Sequence, residues 1–244
     1  MAALNVPVKD PVRNVELRPQ LSVGVDVGFS TLVYAAVSTG PQRTHWGSQE
    51  DYMDFRRRIQ ARKGRLQQFA DGSRGGHGRK RKLKAADAVQ DKEQRFIRSY
   101  NHTASKRIVD FAFQQRAGTI KMEDLTGIKD AETNTFLYRN WRYADLQVMI
   151  ENKAKRHGIR VLYVDPAYTS QTCSKCGNVD KTQRQGAQFK CSACGEQMHA
   201  DYNAAINIAR SEKALIRKQQ QPVAEQTEGT LATEYDTAGP TAEG

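Results

Sequence analysis

The sequence predicts an α/β fold: a mixed sheet with flanking helices, carrying a basic helical insertion and an inserted four-cysteine module. Three observations lead there. The Val-rich stretch LSVGVDVGFSTLVYAAVS alternates with period two near the start. Two further apolar segments, TIKMEDL and IRVLYV, are separated by helical periodicity. The four cysteines fall within one short stretch, after IRVLYV and before a last amphipathic helix.

Residues 1–20 carry Pro7, Pro11 and Pro19 without a sustained period and read as an irregular lead-in. The alternating stretch reads as two strands joined by a tight turn at Gly28-Phe29-Ser30, and a short strand near Arg43–Trp46 completes an antiparallel meander. Residues 50–70 are helical and basic, and GSRGGHG (72–78) is a break. A second basic segment leads into a helix over about 95–116, with Phe96, Ile97, Ile108, Val109 and Phe113 on its apolar face. Gly118-Thr119 is expected to stop that helix and TIKMEDL to follow as a strand. Residues 127–136 read as polar loop. A helix over 138–157 turns Leu146, Met149 and Ile150 inward, and IRVLYV is expected to be a strand buried on both faces. A final helix is expected from Asp201 to Lys218, followed by an acidic, disordered tail over 219–244. The expected domains are a core over 21–165 with its basic insertion at about 48–95, the cysteine module over 166–200, and the closing helix over 201–218. This order of elements is that of the RNase H-like fold.

The net charge of +11 is concentrated rather than spread. Between Arg56 and Arg107 stand seventeen Lys and Arg against four Asp and Glu, so this stretch alone exceeds the surplus of the whole chain. A field of that density attracts polyanions, nucleic acid first among them; the plainer alternative is a solvated basic helix. The N-terminus lacks the charged-then-apolar layout of a signal peptide, and no apolar run reaches the ~20 residues that cross a bilayer. The expectation is a soluble, cytoplasmic protein with no membrane partner.

The cysteines read Cys173-x2-Cys176-x14-Cys191-x2-Cys194. Each pair offers two thiolates from one tight turn, and the loop between lets both turns close on one tetrahedral ion. Four thiolates leave no open position, so the expected metal is one structural zinc. Among the carboxylates, Asp26 sits within the apolar alternation Val23, Val25, Val27, where a strand normally avoids charge. Glu123 closes TIKME, and Asp201 opens the last helix. Acids on a first strand, a middle strand and a last helix can meet at one end of a sheet, which a site for two divalent ions requires. Taken singly, each acid has a plainer reading: a turn residue, a surface carboxylate and a helix N-cap.

Particular motifs narrow this. SVGVDVGFSTLVYAA resembles the first RuvC motif of the TnpB family, IKMEDL its second, and NHTASKRIV the helix before that. DPAYTSQTCSKCG, FKCSACG and HADYNAAINIAR resemble that family's zinc ribbon and third RuvC motif. The resemblance spans about residues 20–215. TnpB proteins are insertion-sequence-encoded, RNA-guided DNA endonucleases related to type V CRISPR effectors. The resemblance therefore implies a RuvC-type, two-metal endonuclease of prokaryotic, phage or mobile-element origin. Asp26, Glu123 and Asp201 are its implied catalytic acids, binding two magnesium or manganese ions, with Asp26 bridging the two and Glu123 and Asp201 each completing one.

Arg184, in the ribbon, is a candidate phosphate contact. Trp46, Tyr168 and Phe189 can stack on bases or simply pack. The implied partners are target DNA and a guide RNA. About twenty residues precede the first motif, where the family carries a long module that grips the guide. Either the chain is a natural minimal or split form, or those contacts are expected from a second copy, a separate recognition module or a structured RNA. Three rivals stand beside this reading. GVDVGFS also resembles the phosphate loop of actin-like ATPases, but no second glycine-rich loop follows. A binding regulator that no longer cuts, and a guide-free resolvase or transposase, would use the same scaffold.

Overall fold

In the computed structural model the described residues are 15–27, 31–72, 77–124, 142–212 and 214–215. The strands β1 (Arg18–Asp26), β2 (Thr31–Val37) and β3 (Arg43–Ser48) form the expected antiparallel meander. Next come α1 (Gln49–Asp71), α2 (His77–Gln114) and β4 (Ala117–Glu123), which pairs parallel with β1. Then α3 (Tyr143–Arg156) leads to β5 (Arg160–Val164), parallel to β4. A short 3-10 turn (Lys181–Gln183) and the strands β6 (Arg184–Gln185), β7 (Gln188–Lys190) and β8 (Gln197–His199) make a small second sheet. The helix α4 (Ala200–Arg210) follows, and β9 (Ala214–Leu215) pairs antiparallel with β5. The large sheet runs β3-β2-β1-β4-β5-β9, a mixed sheet with its parallel strands at the centre.

The two faces of this sheet are covered differently. Odd positions of β1, Val23 and Val25, join Ile120 and Met122 of β4 in the main core. There they meet Ala104, Ile108, Val109 and Ala112 of α2 and Leu146, Ile150 and Ala154 of α3. Each large side chain so buried contributes roughly 1.5–3 kcal/mol. Even positions of β1 turn to α4: Ser22 Oγ donates to Ala209 O at 2.6 Å, and Gly24 lies against the α4 backbone. The strand must be smooth there. A Cβ on Gly24 would stand 2.1 Å from Ala205 O and 2.3 Å from Ala209 N.

Several expectations are corrected. The helix expected over 95–116 is the second half of one 38-residue helix, α2, so no break separates the basic insertion from the core helix near residue 95. That helix ends at Gln114 and turns through Arg116, whose φ of 57° is left-handed, and not at Gly118-Thr119, which lie inside β4. Gly118 is needed for closeness: a Cβ there would meet Arg18 O and Pro19 Cα at 2.9 Å. IRVLYV is not buried on both faces, because Arg160 is exposed and Val161 and Leu162 are half-buried. Among the described residues, only the two of β9 flank this strand on its outer side. α4 stops at Arg210, eight residues short of Lys218, since β9 draws the chain back to the sheet. Within the expected lead-in, Arg18–Gln20 already belong to β1. The turn at 28–30, the loop over 127–136, residues 138–141 of the expected third helix and the acidic tail lie outside the described residues.

The helices α1 and α2 pack as a pair, tied by Arg56 to Glu93 at 2.8 Å with both side chains largely buried. Most of their other described basic residues, including Arg58, Arg62, Arg65, Lys80, Arg81, Lys84 and Arg98, are exposed. No described helix is long and apolar enough to cross a membrane.

Candidate functional site

The three predicted acids arrive on one face of the sheet. Asp26 closes β1 on the same side as Ser22 and Gly24, which touch α4. Glu123 closes the neighbouring β4, two residues after Lys121, whose Nζ donates to Ser211 O at the far end of α4. Asp201 stands in the first turn of α4, with its backbone N–H 3.3 Å from His199 Nδ1, the helix N-cap. Strand ends and a helix start thus converge, and the partial positive charge of a helix N-terminus favours acids there.

The electrostatics follow from this convergence. Burial raises the Asp26 carboxyl well above its ordinary range, and the nearby charges of Glu123 and Asp201 push it further. The Arg184 guanidinium pulls it back, as does the backbone hydrogen bond at Val27. Burial also raises Glu123, opposed by a hydrogen bond from the Thr169 hydroxyl and by Arg184. Arg184 Nη2 donates to Asp201 Oδ1 at 2.8 Å, and Asp201 is 0 % exposed. Yet Asp26 Oδ2 and Asp201 Oδ2, both buried, have no hydrogen-bond partner. Buried carboxylate oxygens left bare are costly, and a bound cation is one way to satisfy them. The acids do not close to the spacing of a single-ion cage: among the described residues, only the cysteines form a group of three or more donors within 4.8 Å of one another.

The cysteines form the expected cluster on two matching turns. Gly177 N donates to Cys173 O at 2.8 Å and Gly195 N to Cys191 O at 3.1 Å. Both glycines are left-handed, with φ of 78° and 71°, the conformation that lets the chain bend behind its ligands. The Sγ pairs Cys173–Cys194 and Cys176–Cys191 stand 3.8 and 3.5 Å apart. A tetrahedron with metal–sulfur bonds of ~2.3 Å has edges of about 3.8 Å, so the thiols fit one zinc. The Cys194 N–H, 3.4 Å from Cys191 Sγ, is the main cause that brings that thiol down to about 6, whereas against the backbone hydrogen bond at Asn178 the neighbouring thiols and burial push Cys176 up to about 12.

The cysteine module is bonded to the acidic site. Asn203 Nδ2 donates to Thr172 O at 2.7 Å, and its Oδ1 accepts from Ser174 N at 2.8 Å. Asn207 Nδ2 reaches Thr169 O and Thr172 O at 2.8 and 2.7 Å. From the other side of the acids, α3 holds the Glu123 carbonyl through Gln147 Nε2 at 3.3 Å. Sequence reasoning missed Thr169, Asn203 and Asn207. All three stand inside the motifs quoted above, but nothing in their spacing marks whom they bond.

Of the aromatic residues raised as base-stackers, Trp46 packs on Tyr100 with centroids 4.3 Å apart, and Phe189 is the buried centre of the cysteine module. Tyr168 alone is exposed.

Comparison with known proteins agrees with these motifs. The family profile described as Cas12f1-like, TNB domain, matches residues 143–208. A CRISPR-associated endodeoxyribonuclease Cas12f1 of Sulfoacidibacillus thermotolerans is 46 % identical over 191 residues, 77 % of this chain and 44 % of that protein. A TnpB-like protein of Methanocaldococcus jannaschii is 35 % identical over 123 residues, 48 % of this chain and 43 % of that protein. A cryo-EM structure of a Cas12f1–sgRNA–target DNA complex superposes with a TM-score of 0.65 at 30 % identity, covering 79 % of this chain and 50 % of that one. The chain spans about half the length, or less, of the relatives it matches. Over the stretch they share, the chain fits a TnpB-related type V effector of the kind that includes the Cas12f proteins.

Proposed function

We propose that this chain is the RuvC-like, RNase H-like nuclease part of an RNA-guided DNA endonuclease, with Asp26, Glu123 and Asp201 as its catalytic acids. The observation that carries the reading is the meeting of these acids on one sheet face with two bare, buried carboxylate oxygens, Asp26 Oδ2 and Asp201 Oδ2. The sheet order β3-β2-β1-β4-β5 supports the RNase H-like assignment. So do relatives named endodeoxyribonucleases.

Asp26 and Asp201 supply the open donors, and Glu123, held by Thr169 and α3, supplies the third carboxylate. Two magnesium or manganese ions bound there supply an activated water and charge stabilisation at the leaving oxygen of a phosphodiester. Arg184 uses one N–H on Asp201; its remaining donors, on a side chain 30 % exposed, can take a phosphate oxygen. The four thiols hold one structural zinc that fixes the ribbon, residues 166–200, against α4. The exposed basic faces of α1 and α2 hold a guide–target duplex by its phosphates, without reading sequence. The protein acts in the cytoplasm of its host cell.

The test is cleavage of guide-matched and mismatched DNA by the purified chain with its native transcript, in magnesium or manganese. Alanine at Asp26, Glu123 or Asp201 should reduce cutting by orders of magnitude. A triple variant that cuts as fast as the parent refutes the site. Tight binding without any cutting by the parent chain would favour a binding regulator instead.

A further inference from the structure

Beside the acids lies a row of rings that the acidic chemistry does not use. The register sets Asp26 of β1 opposite Tyr34 of β2, and Tyr34 opposite His45 of β3. Residues directly opposite one another share a face, so all three point to the α4 side. The Tyr34 and His45 rings stack with centroids 5.6 Å apart and planes 21° from parallel. On its other flank Tyr34 meets His199 at 5.3 Å and 22°, and Tyr202 at 6.0 Å. The Arg43 guanidinium sits 4.5 Å from the centre of the Tyr202 ring.

Tyr34 is buried and anchors this group in the small core beneath α4. The row continues past that core: His45 and Arg43 are exposed on the edge strand, and Tyr202 is half-buried. Two strand spacings, about 10 Å, separate the acid at one end of the row from the exposed imidazole at the other. An aromatic ring at that distance from a phosphodiester-cutting centre, flanked by a guanidinium, has the chemistry that holds an unpaired base and its backbone. A paired base offers no free face to such a ring, so the row selects a single strand.

We propose that His45, backed by Tyr34 and flanked by Arg43, is a base-stacking subsite for a nucleotide close to the scissile phosphate of single-stranded DNA. The inference rests on the nuclease reading above and deepens it: the strand lies across β1, β2 and β3 and leaves over the β3 edge.

The experiment uses the full, zinc-loaded chain in buffer without magnesium or manganese, with a short single-stranded DNA carrying 2-aminopurine at alternating positions, whose fluorescence falls when the base stacks. Wild type should quench the probe on binding. His45→Ala should lose most of that quenching and bind about five- to tenfold more weakly. His45→Phe should retain both, and the melting temperatures of both variants should match wild type. Quenching that is absent in wild type, or unchanged in His45→Ala, overturns the subsite. Failure of His45→Phe alongside His45→Ala, with both folded, also overturns it, because the ring would then act through its nitrogens. Cleavage is scored separately with magnesium present. His45-dependent quenching in a chain that never cuts refutes the nuclease and leaves the subsite standing, whereas cutting indifferent to His45 refutes the subsite alone.

Discussion

Gly24→Ala is the smallest change that should damage both the fold and the site. The added Cβ would lie 2.1 Å from Ala205 O, 2.3 Å from Ala209 N and 2.9 Å from Ala209 Cα. Ordinary contact begins near 3.4 Å, so α4 must retreat by about 1.3 Å. Every one of these neighbours is backbone, and no side chain can swing aside. Overpacking of this kind costs about 1–3 kcal/mol, and the rigidity of a helix against a central strand puts this case at the upper end. The same displacement carries Asp201 away from Asp26, and a misplacement of about 1 Å can cost 100-fold in rate. Urea unfolding followed by circular dichroism gives the first number, and manganese binding or cleavage gives the second. A Gly24→Ala protein as stable and as active as its parent would refute the claim that α4 is seated on bare backbone here.

The remaining predictions are shorter. Because burial and neighbouring acids raise the folded-state Asp26 carboxyl above its unfolded value, the metal-free native state holds its proton to higher pH than the unfolded chain. Stability should therefore fall as pH rises from the ordinary carboxylate range through the raised value. Asp26→Asn should flatten that decline and be more stable than wild type at neutral pH in buffer without magnesium or manganese; an unchanged pH profile by thermal melts counts against it. Cys173→Ser or Cys191→Ser should release the zinc and loosen the ribbon, read by metal analysis of the purified protein; parent protein without zinc and with reactive thiols refutes the site. RNA binding by the chain should weaken steeply with salt, with a log–log slope of magnitude about 4 or more, measured by anisotropy; a flat dependence would mean that α1 and α2 do not carry the contact.

The parts of this molecule that obey local periodicity were legible in the sequence. The meander, β4, and the inward faces of α2 and α3 follow from apolar spacing alone, and Asp26 stood out because a charge interrupted a buried strand. The cysteine turns declare themselves by the geometry of one ion. What was not legible depends on partners distant in sequence. Gly24 reads as an ordinary strand glycine until α4 is laid over it, and Gly118 reads as a helix stop until Arg18 and Pro19 pass beside it. The early end of α4 depends on β9 finding the edge of β5. Thr169, Asn203 and Asn207 are polar residues whose roles appear only when the cysteine module folds back on the helix.

The seating of α4 on β1 also sets a timetable. Ser22 and Ala209, which share a hydrogen bond, are 187 positions apart in the chain, so this contact is among the last that synthesis permits. The basic helices are finished at Gln114, about 100 residues before Arg210 completes α4. At ordinary translation speeds that interval is roughly 5–20 s. Throughout it the nascent chain displays its exposed basic helices while Asp201 has not yet joined Asp26 and Glu123. The order of synthesis thus puts the exposed basic helices ahead of the assembled acids, and the ribosome separates the two in time.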